Sequence, residues 1–408
     1  MKVVAVRGKM LDLRESLLNE TERAVDGVVQ VSGAGLFDSE ERLMPLVSDY
    51  LSQQMETGLL SVASAKTYGQ NLGYMLDFLK SRSEFSSSER DFCFIEAGSH
   101  AYRQYFKQLL EDEDLEGNTA RNRDATLMSF MNKYLCVSSD GGPPRREHNP
   151  YAGGMLTPAP KSKLIKGCTM KELQVLIEAT PYERERCLLQ FIFDAGLRRS
   201  EVARVTLENV IDALKFSGVS FISQEMLIPI SAGYCPIYIE GSKGRGDSTK
   251  PRHSIVSRAT LLRIKKYHAS LLYRMHSRKY PKPSLTPAFF NAEGEGYSPN
   301  SVSKLLERLS DRAKDRLEKP ISPHKLRHGN AYAILSSPDL GADYLERLTI
   351  AQKSLGHAQL STTEKYNQIA MDLYRKLIDD NAITISRAQE MEALVEKTWI
   401  RIRPEDKK

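Results

Sequence analysis

Cysteine is scarce and scattered. The five thiols, Cys93, Cys136, Cys168, Cys187 and Cys235, lie far apart in 408 residues. None forms a CxxC pair, which argues against a zinc site and a disulfide framework and leaves reduced structural thiols as the reading. Long apolar runs are also missing: no stretch approaches the ~20 residues needed to span a bilayer. The opening MKVVAVRGKMLDLRESLLNE has too short an apolar segment and too many charges for a secretory signal. A cytoplasmic location is therefore expected. There are no internal repeats, and low complexity is confined to one linker-like stretch.

What is present is a chain of two-domain length. Its 41% hydrophobic residues are ample for packed cores. The net charge of +6 is unevenly placed. Residues 1–150 hold 17 Lys and Arg against 23 Asp and Glu, a net of −6, whereas residues 151–408 hold 41 against 29, a net of +12. A basic C-terminal region suits a polyanion such as DNA, whose condensed counterions are released when its phosphates are neutralised.

Residues 1–38 read as an N-terminal extension, with VSGAGLFDSE as a loop. Apolar residues then recur at helical spacing over about 40–55, 64–79, 100–110 and 120–135. This predicts a small all-α domain at 39–136. The stretch SSDGGPPRREHNPYAGGMLTPAPKSKLIKG, about 137–166, has the Gly, Pro and Ser content of an extended linker. Its Arg145, Arg146, Lys161, Lys163 and Lys166 either follow a phosphate backbone or simply face water. Past it, TMKELQVLIEA offers Thr169 as N-cap with Glu172 closing a capping box. A second helix over 181–195 stops at Gly196. Between 217 and 256 the pattern turns β-like, a small sheet with an exposed basic turn. Helices resume at 258–276, 298–316, 323–336, 344–355 and 370–397.

Short motifs in this second region carry chemistry. In SPHKLRHGNAYAIL, Ser322 suits an N-cap and Pro323 the first helical position, so His324, Arg327 and His328 share one face of the opening turns. A helix N-terminus already attracts anions, and an arginine fork with two imidazoles beside it makes a phosphate site. Taken alone, the segment is equally well a surface helix with solvated basic residues. In GLRRSEV, Arg198 and Glu201 are three apart, so the carboxylate can hold a neighbouring side chain, and Arg199 is the residue most easily mistaken for the functional one. SLGHAQLSTTEKYNQI sets His357 nine residues before Tyr366, with Tyr374 a rival nucleophile by type. Lys243 lies between Gly241 and Gly244, which let the turn GSKGRG approach another backbone closely. Arg245, in the same turn, is a further candidate DNA contact.

Together and in this order, G-L-R-x-S-E, a glycine-flanked lysine, P-H-x-L-R-H, and L-G-H with a tyrosine nine residues on resemble the tyrosine recombinase family of lambda-type integrases and Xer and Cre recombinases. The resemblance spans about 165–375. Residues 40–135 are similar in kind to the family's core-binding domain, without a diagnostic motif. The resemblance implies a mainly α fold with a small antiparallel β-sheet, in which two domains close as a clamp around DNA. The catalytic domain would cover 167–375, joined by the linker at 137–166 to the helical domain at 39–136. The helical segment 376–408 would dock on a neighbouring protomer or pack on its own domain. The function implied is site-specific recombination for a mobile element or chromosome. The partners would be a double-stranded DNA site in the nucleoid, other copies of the chain in a DNA-bound tetramer, and accessory DNA-bending proteins.

The resemblance also assigns roles. Tyr366 would attack a scissile phosphate, forming a 3′-phosphotyrosine and releasing a 5′-hydroxyl. A phenol with pKa near 10 needs its proton removed and its target neutralised, so Arg198 and Arg327 would clamp the non-bridging oxygens. His324 would accept a proton near the nucleophile, His357 would donate to the phosphate, and Lys243 would protonate the leaving oxygen. Glu201 would orient the site and His328 support it. The bond energy is stored in the covalent link, so neither ATP nor a metal is implied, and no carboxylate cluster resembles a two-metal site.

The chain departs from the family's pattern in three places. The segment GSKGRGDSTKPRH is longer than the usual compact turn, which leaves Lys243 and Lys250 both open as the acid. RMHSRKYPKPSL (274–285) and SSPDLGADYLERLTI (336–350) are long as well. Two further readings are a type IB topoisomerase-like enzyme, relaxing DNA as a monomer, and a non-catalytic DNA-binding accessory protein. The filled catalytic positions favour a recombinase.

Overall fold

The computed structural model describes residues 1–11, 28–113, 115–138, 142–159, 166–216, 233–241, 248–357, 363 and 385–402. Contacts divide the chain into two units: Met1–Ser162 with Gly244–Ser248, and Lys163–Lys243 with Thr249–Lys408.

The first unit opens with an antiparallel pair of strands, β1 (Lys2–Leu11) and β2 (Val28–Phe37). VSGAGLF is therefore a strand, not the loop its glycines suggested. Nor are residues 1–38 an appended extension, because Ala5, Ala34 and Leu36 join one core with α1 (Pro45–Glu56) and α2 (Val62–Lys80). The reason lies in α1, where Ser48 and Ser52 stand one turn apart. The Leu36 amide donates to the Ser48 hydroxyl at 3.0 Å. The Ala34 amide donates to Ser52 Oγ at 3.1 Å, and that hydroxyl donates back to the Ala34 carbonyl at 3.1 Å. A strand edge that would otherwise be open is thus satisfied by side chains. Helices α3 (Cys93–Glu96), α4 (Ser99–Glu111) and α5 (Gly117–Phe130), the last running into a π turn at Met131–Leu135, complete the unit around Tyr50, Phe94, Tyr102 and Phe130.

The stretch expected as an extended linker is packed in its first part. Tyr151 is buried in the first unit's core, and the Thr157 amide and hydroxyl both donate to Asp124 Oδ2 at 2.7 Å. Pro and Gly marked irregular backbone here, but irregular backbone held by buried side chains is not a linker.

The second unit contains α6 (Met170–Glu178), α7 (Glu183–Asp194), the short α8 (Arg199–Val202) and α9 (Leu207–Lys215). Strands β3 (Tyr234–Ile239) and β4 (Arg252–Ser257) follow as an antiparallel pair. Then come α10 (Arg258–His268), α11 (Leu271–Ser277), α12 (Pro299–Arg312), α13 (Pro323–Ser336), α14 (Tyr344–Leu355) and α15 (Arg387–Thr398). The Thr169–Glu172 capping box starts α6, with reciprocal bonds of 3.2 and 2.8 Å. The expected strand at 219–230 lies outside the described residues. The fold is mainly α with small antiparallel sheets. α15 begins at Arg387, capped by Ser386, and buries Met391 and Leu394 in its own unit. Arg387, fully buried, donates to Asp194 Oδ1 at 2.6 Å and to the Ile255 carbonyl at 3.0 Å, tying the C-terminal helix to the end of α7.

Candidate active site

The site begins where α7 ends. Gly196 has φ +58°, and a Cβ there would lie 2.7 Å from Asn330 Oδ1 and 2.8 Å from Leu355 Cδ2, so the turn requires glycine. Two residues on, Arg198 is the N-cap of α8, and Glu201 reaches back to it. The Arg198 amide donates to Glu201 Oε2 at 2.9 Å and its Nη1 to Oε1 at 2.7 Å. Glu201 is fully buried, and the Arg198 side chain is 20% exposed.

Helix α13 brings the second arginine. Ser322 accepts from the Lys325 amide at 3.2 Å and Pro323 occupies the first turn. Arg327, one turn in, is 2% exposed and donates to the Gly196 and Leu355 carbonyls. Its Nη1 lies 4.0 Å from Glu201 Oε2. His324 is exposed at the helix start, its ring edge-on to His328 at 4.4 Å. Burial, then His324 and Arg327, push the pKa of His328 down to about 4.

Helix α14 ends on Gly356 in the left-handed region, φ +66°, which places His357 directly after the turn that Arg327 holds. His357 Nδ1 is 2.9 Å from the hydroxyl of buried Thr363. Burial, followed by Arg327, Arg198 and Arg252, pushes the His357 pKa down to about 3. The imidazole is therefore neutral near pH 7, with one nitrogen protonated. A Thr363 hydroxyl that donates to Nδ1 would keep the ring proton on Nε2.

Sequence reasoning missed two members of this cluster, Thr363 and Arg252. Arg252, the first residue of β4, puts Nη2 2.8 Å from Glu201 Oε2 and its other arm on the Ser354 carbonyl. No sequence signal marked it, and the strand it leads is buried except at His253. Burial on its own would raise the Glu201 pKa, but Arg252, the Arg198 amide, Arg327 and the Arg198 side chain outweigh it and hold the pKa below the usual range. Three guanidiniums around one carboxylate leave a net of two positive charges, a field suited to a phosphodiester gaining charge in its transition state. Among the described residues, no group of three His, Cys, Asp or Glu is arranged to hold a metal ion.

Tyr366, Lys243, Arg245, Lys161 and Lys163 lie outside the described residues. Arg204 donates to the carbonyl of Gly241, two residues before Lys243 in the chain. Lys250 and Lys166 are exposed. Arg145 lies over the Tyr134 ring at 4.2 Å and pairs with Asp49 at 3.4 Å. Arg146 corrects the expectation of a phosphate contact. It is 6% exposed and donates to the carbonyls of His148, Phe94, Ile95 and Ala97 at 2.6–2.8 Å, so it braces the first unit from inside.

Two arginines and two histidines thus stand on a mainly helical fold, an arrangement whose charge and donors suit a phosphate. Residues 168–372 match the phage integrase family, and the chain belongs to this family of tyrosine recombinases. It is similar to the tyrosine recombinase XerC of Pelotomaculum thermopropionicum, 25% identical over 325 residues covering 78% of this chain and 91% of that protein. Among solved structures, it resembles the XerH recombinase bound to a palindromic difH substrate in a post-cleavage complex, with TM-score 0.51, 19% identity, and coverage of 81% and 84%. It also resembles a lambda integrase dimer bound to a COC′ core site, with TM-score 0.51, 14% identity, and coverage of 79% and 93%. At these identities the two structures speak for the fold. Among the described residues no helix is long and apolar enough to cross a membrane.

Proposed function

We propose that the chain cuts and rejoins DNA at a specific site through a covalent 3′-phosphotyrosine on Tyr366. The observation that carries this reading is the meeting of Arg198 and Arg327, from distant segments, on one buried carboxylate beside His357. The Tyr366 oxygen attacks phosphorus, the bond from phosphorus to the 5′-oxygen breaks, and Lys243 or Lys250 returns a proton to the leaving oxygen. Arg198 and Arg327 hold the non-bridging oxygens, neutral His357 donates to one of them, and exposed His324 takes the phenol proton. His328 supports His324. The first unit serves as the core-binding domain. Arg145, Lys161, Lys163, Lys166 and Arg245 follow the DNA backbone, and a tetramer on DNA, aided by bending proteins, exchanges strands. Segment 376–408 forms the protomer contact through its part outside α15.

The test starts from a pool of random-sequence nicked duplexes. Those captured covalently by the protein are recovered and used as substrate, and a shifted band in denaturing gels is expected from wild type and absent from Tyr366→Phe. An adduct that survives this substitution refutes the nucleophile. Specific binding without any adduct points to a non-catalytic DNA-binding protein, and sequence-independent relaxation of supercoiled plasmid to a topoisomerase.

A further inference from the structure

We infer that Arg252 is a positioning residue for strand cleavage, neutralising Glu201 and pinning the turn before His357 so that Arg327 stays available to the scissile phosphate. This rests on the recombinase reading above. Glu201 has two oxygens and is fully buried. Oε1 takes Arg198 Nη1 at 2.7 Å, while Oε2 takes the Arg198 amide at 2.9 Å and Arg252 Nη2 at 2.8 Å. Arg327 stands off at 4.0 Å, with its two arms on the Gly196 and Leu355 carbonyls.

Arg252 is built into this arrangement on three sides. One arm bonds the Ser354 carbonyl, in the last turn of α14, and the other also reaches the Gly196 carbonyl at 3.3 Å. Its stem lies directly beneath Gly356, where a Cβ would come within 2.5 Å of Arg252 Cδ. The arginine therefore touches the carboxylate, the end of α7 and the turn leading to His357 at once.

Without Arg252, Glu201 Oε2 would lose the guanidinium 2.8 Å from it, while Oε1 keeps Arg198 Nη1 at 2.7 Å. A buried carboxylate short of a cation is costly, and Arg327, 4.0 Å away, is the next cation able to close on it among the described residues. That closure would draw Arg327 off the Leu355 carbonyl and away from a bound phosphate. Arg252 thus supplies the charge that Glu201 removes and leaves two arginines for the substrate.

The experiment measures the rate of adduct formation on the captured nicked duplex, with either a phosphodiester or a neutral methylphosphonate at the scissile position. Arg252→Met is expected to slow the phosphodiester reaction about 10²-fold, the scale of losing one oxyanion donor. The loss should fall below about tenfold on the methylphosphonate, whose missing charge makes less demand on Arg327. In a Glu201→Gln background, Arg252→Met should cost no more than about threefold, because no carboxylate charge is left to draw Arg327 in. That pair keeps the test decisive even where Arg252→Met alone does not fold. Equal losses on both substrates and in both backgrounds would overturn the proposal and leave Arg252 a packing residue. Failure of the wild-type protein itself to form an adduct would instead sink the recombinase reading.

Discussion

Arg198 and Arg327 are expected to matter equally for cleavage and unequally for the fold. Replacing either with methionine removes one guanidinium from the phosphate, a loss of about 10²–10³ in rate. Their surroundings differ. Arg327 is 2% exposed and holds two buried carbonyls, Gly196 and Leu355. Arg327→Met leaves both without that donor, at about 1–3 kcal/mol each, and takes a cation from near buried Glu201. A total of about 3–5 kcal/mol is expected. The Arg198 side chain is 20% exposed, and Glu201 retains the Arg198 amide and Arg252 without it. Arg198→Met should cost less, about 1.5–3 kcal/mol for one hydrogen bond to a buried charged oxygen. Urea unfolding followed by Trp399, the single tryptophan, at the end of α15, reads the second unit's stability, and adduct kinetics read the chemistry. Should Arg327→Met stay within about 1 kcal/mol of wild type, or Arg198→Met prove the weaker fold, Arg327 is not the cross-link between these segments.

Three further outcomes follow from the same contacts. Burial pushes the His268 pKa down to about 4, against the pull of its bond to the Ala288 carbonyl. The unfolded chain therefore takes up this proton first as pH falls, and stability present above about pH 7 drains away between roughly 6.5 and 4. By pH 5 the loss is about 2 kcal/mol. His268→Gln should shrink the difference between urea unfolding at pH 7.5 and 5.0 by that amount, and an undiminished difference would refute the assignment. Arg146→Met should destabilise the first unit by about 3 kcal/mol without changing the salt dependence of DNA binding, whereas a salt slope reduced by about one would restore its phosphate role. Thr363→Val should slow adduct formation about tenfold by freeing the His357 tautomer and Thr363→Ser should not; equal effects would count against the hydrogen bond.

Much of the second unit was legible because its chemistry is local. The cap at Ser322, the Arg198–Glu201 spacing and the glycine stop at Gly196 act within one or two turns, and sequence spacing reports such geometry directly. Arg252 was not legible, since its partners Glu201 and Ser354 lie far away in the chain and no periodicity announces a charge inside a strand. Arg146 misled for the converse reason: a basic residue among Pro and Gly looks solvated until four carbonyls close around it. The hairpin at the N-terminus depended on the hydroxyls of Ser48 and Ser52 meeting its edge, a tertiary contact that overrides the loop preference of Gly33 and Gly35.

The most direct measurement is the identity of the residue that carries the DNA. Wild-type protein trapped on the captured nicked duplex, digested with nuclease and protease and mapped by mass spectrometry, is expected to bear a 3′-linked nucleotide on Tyr366. A nucleotide on Tyr374, on a serine, or on no residue despite cleavage would contradict the account.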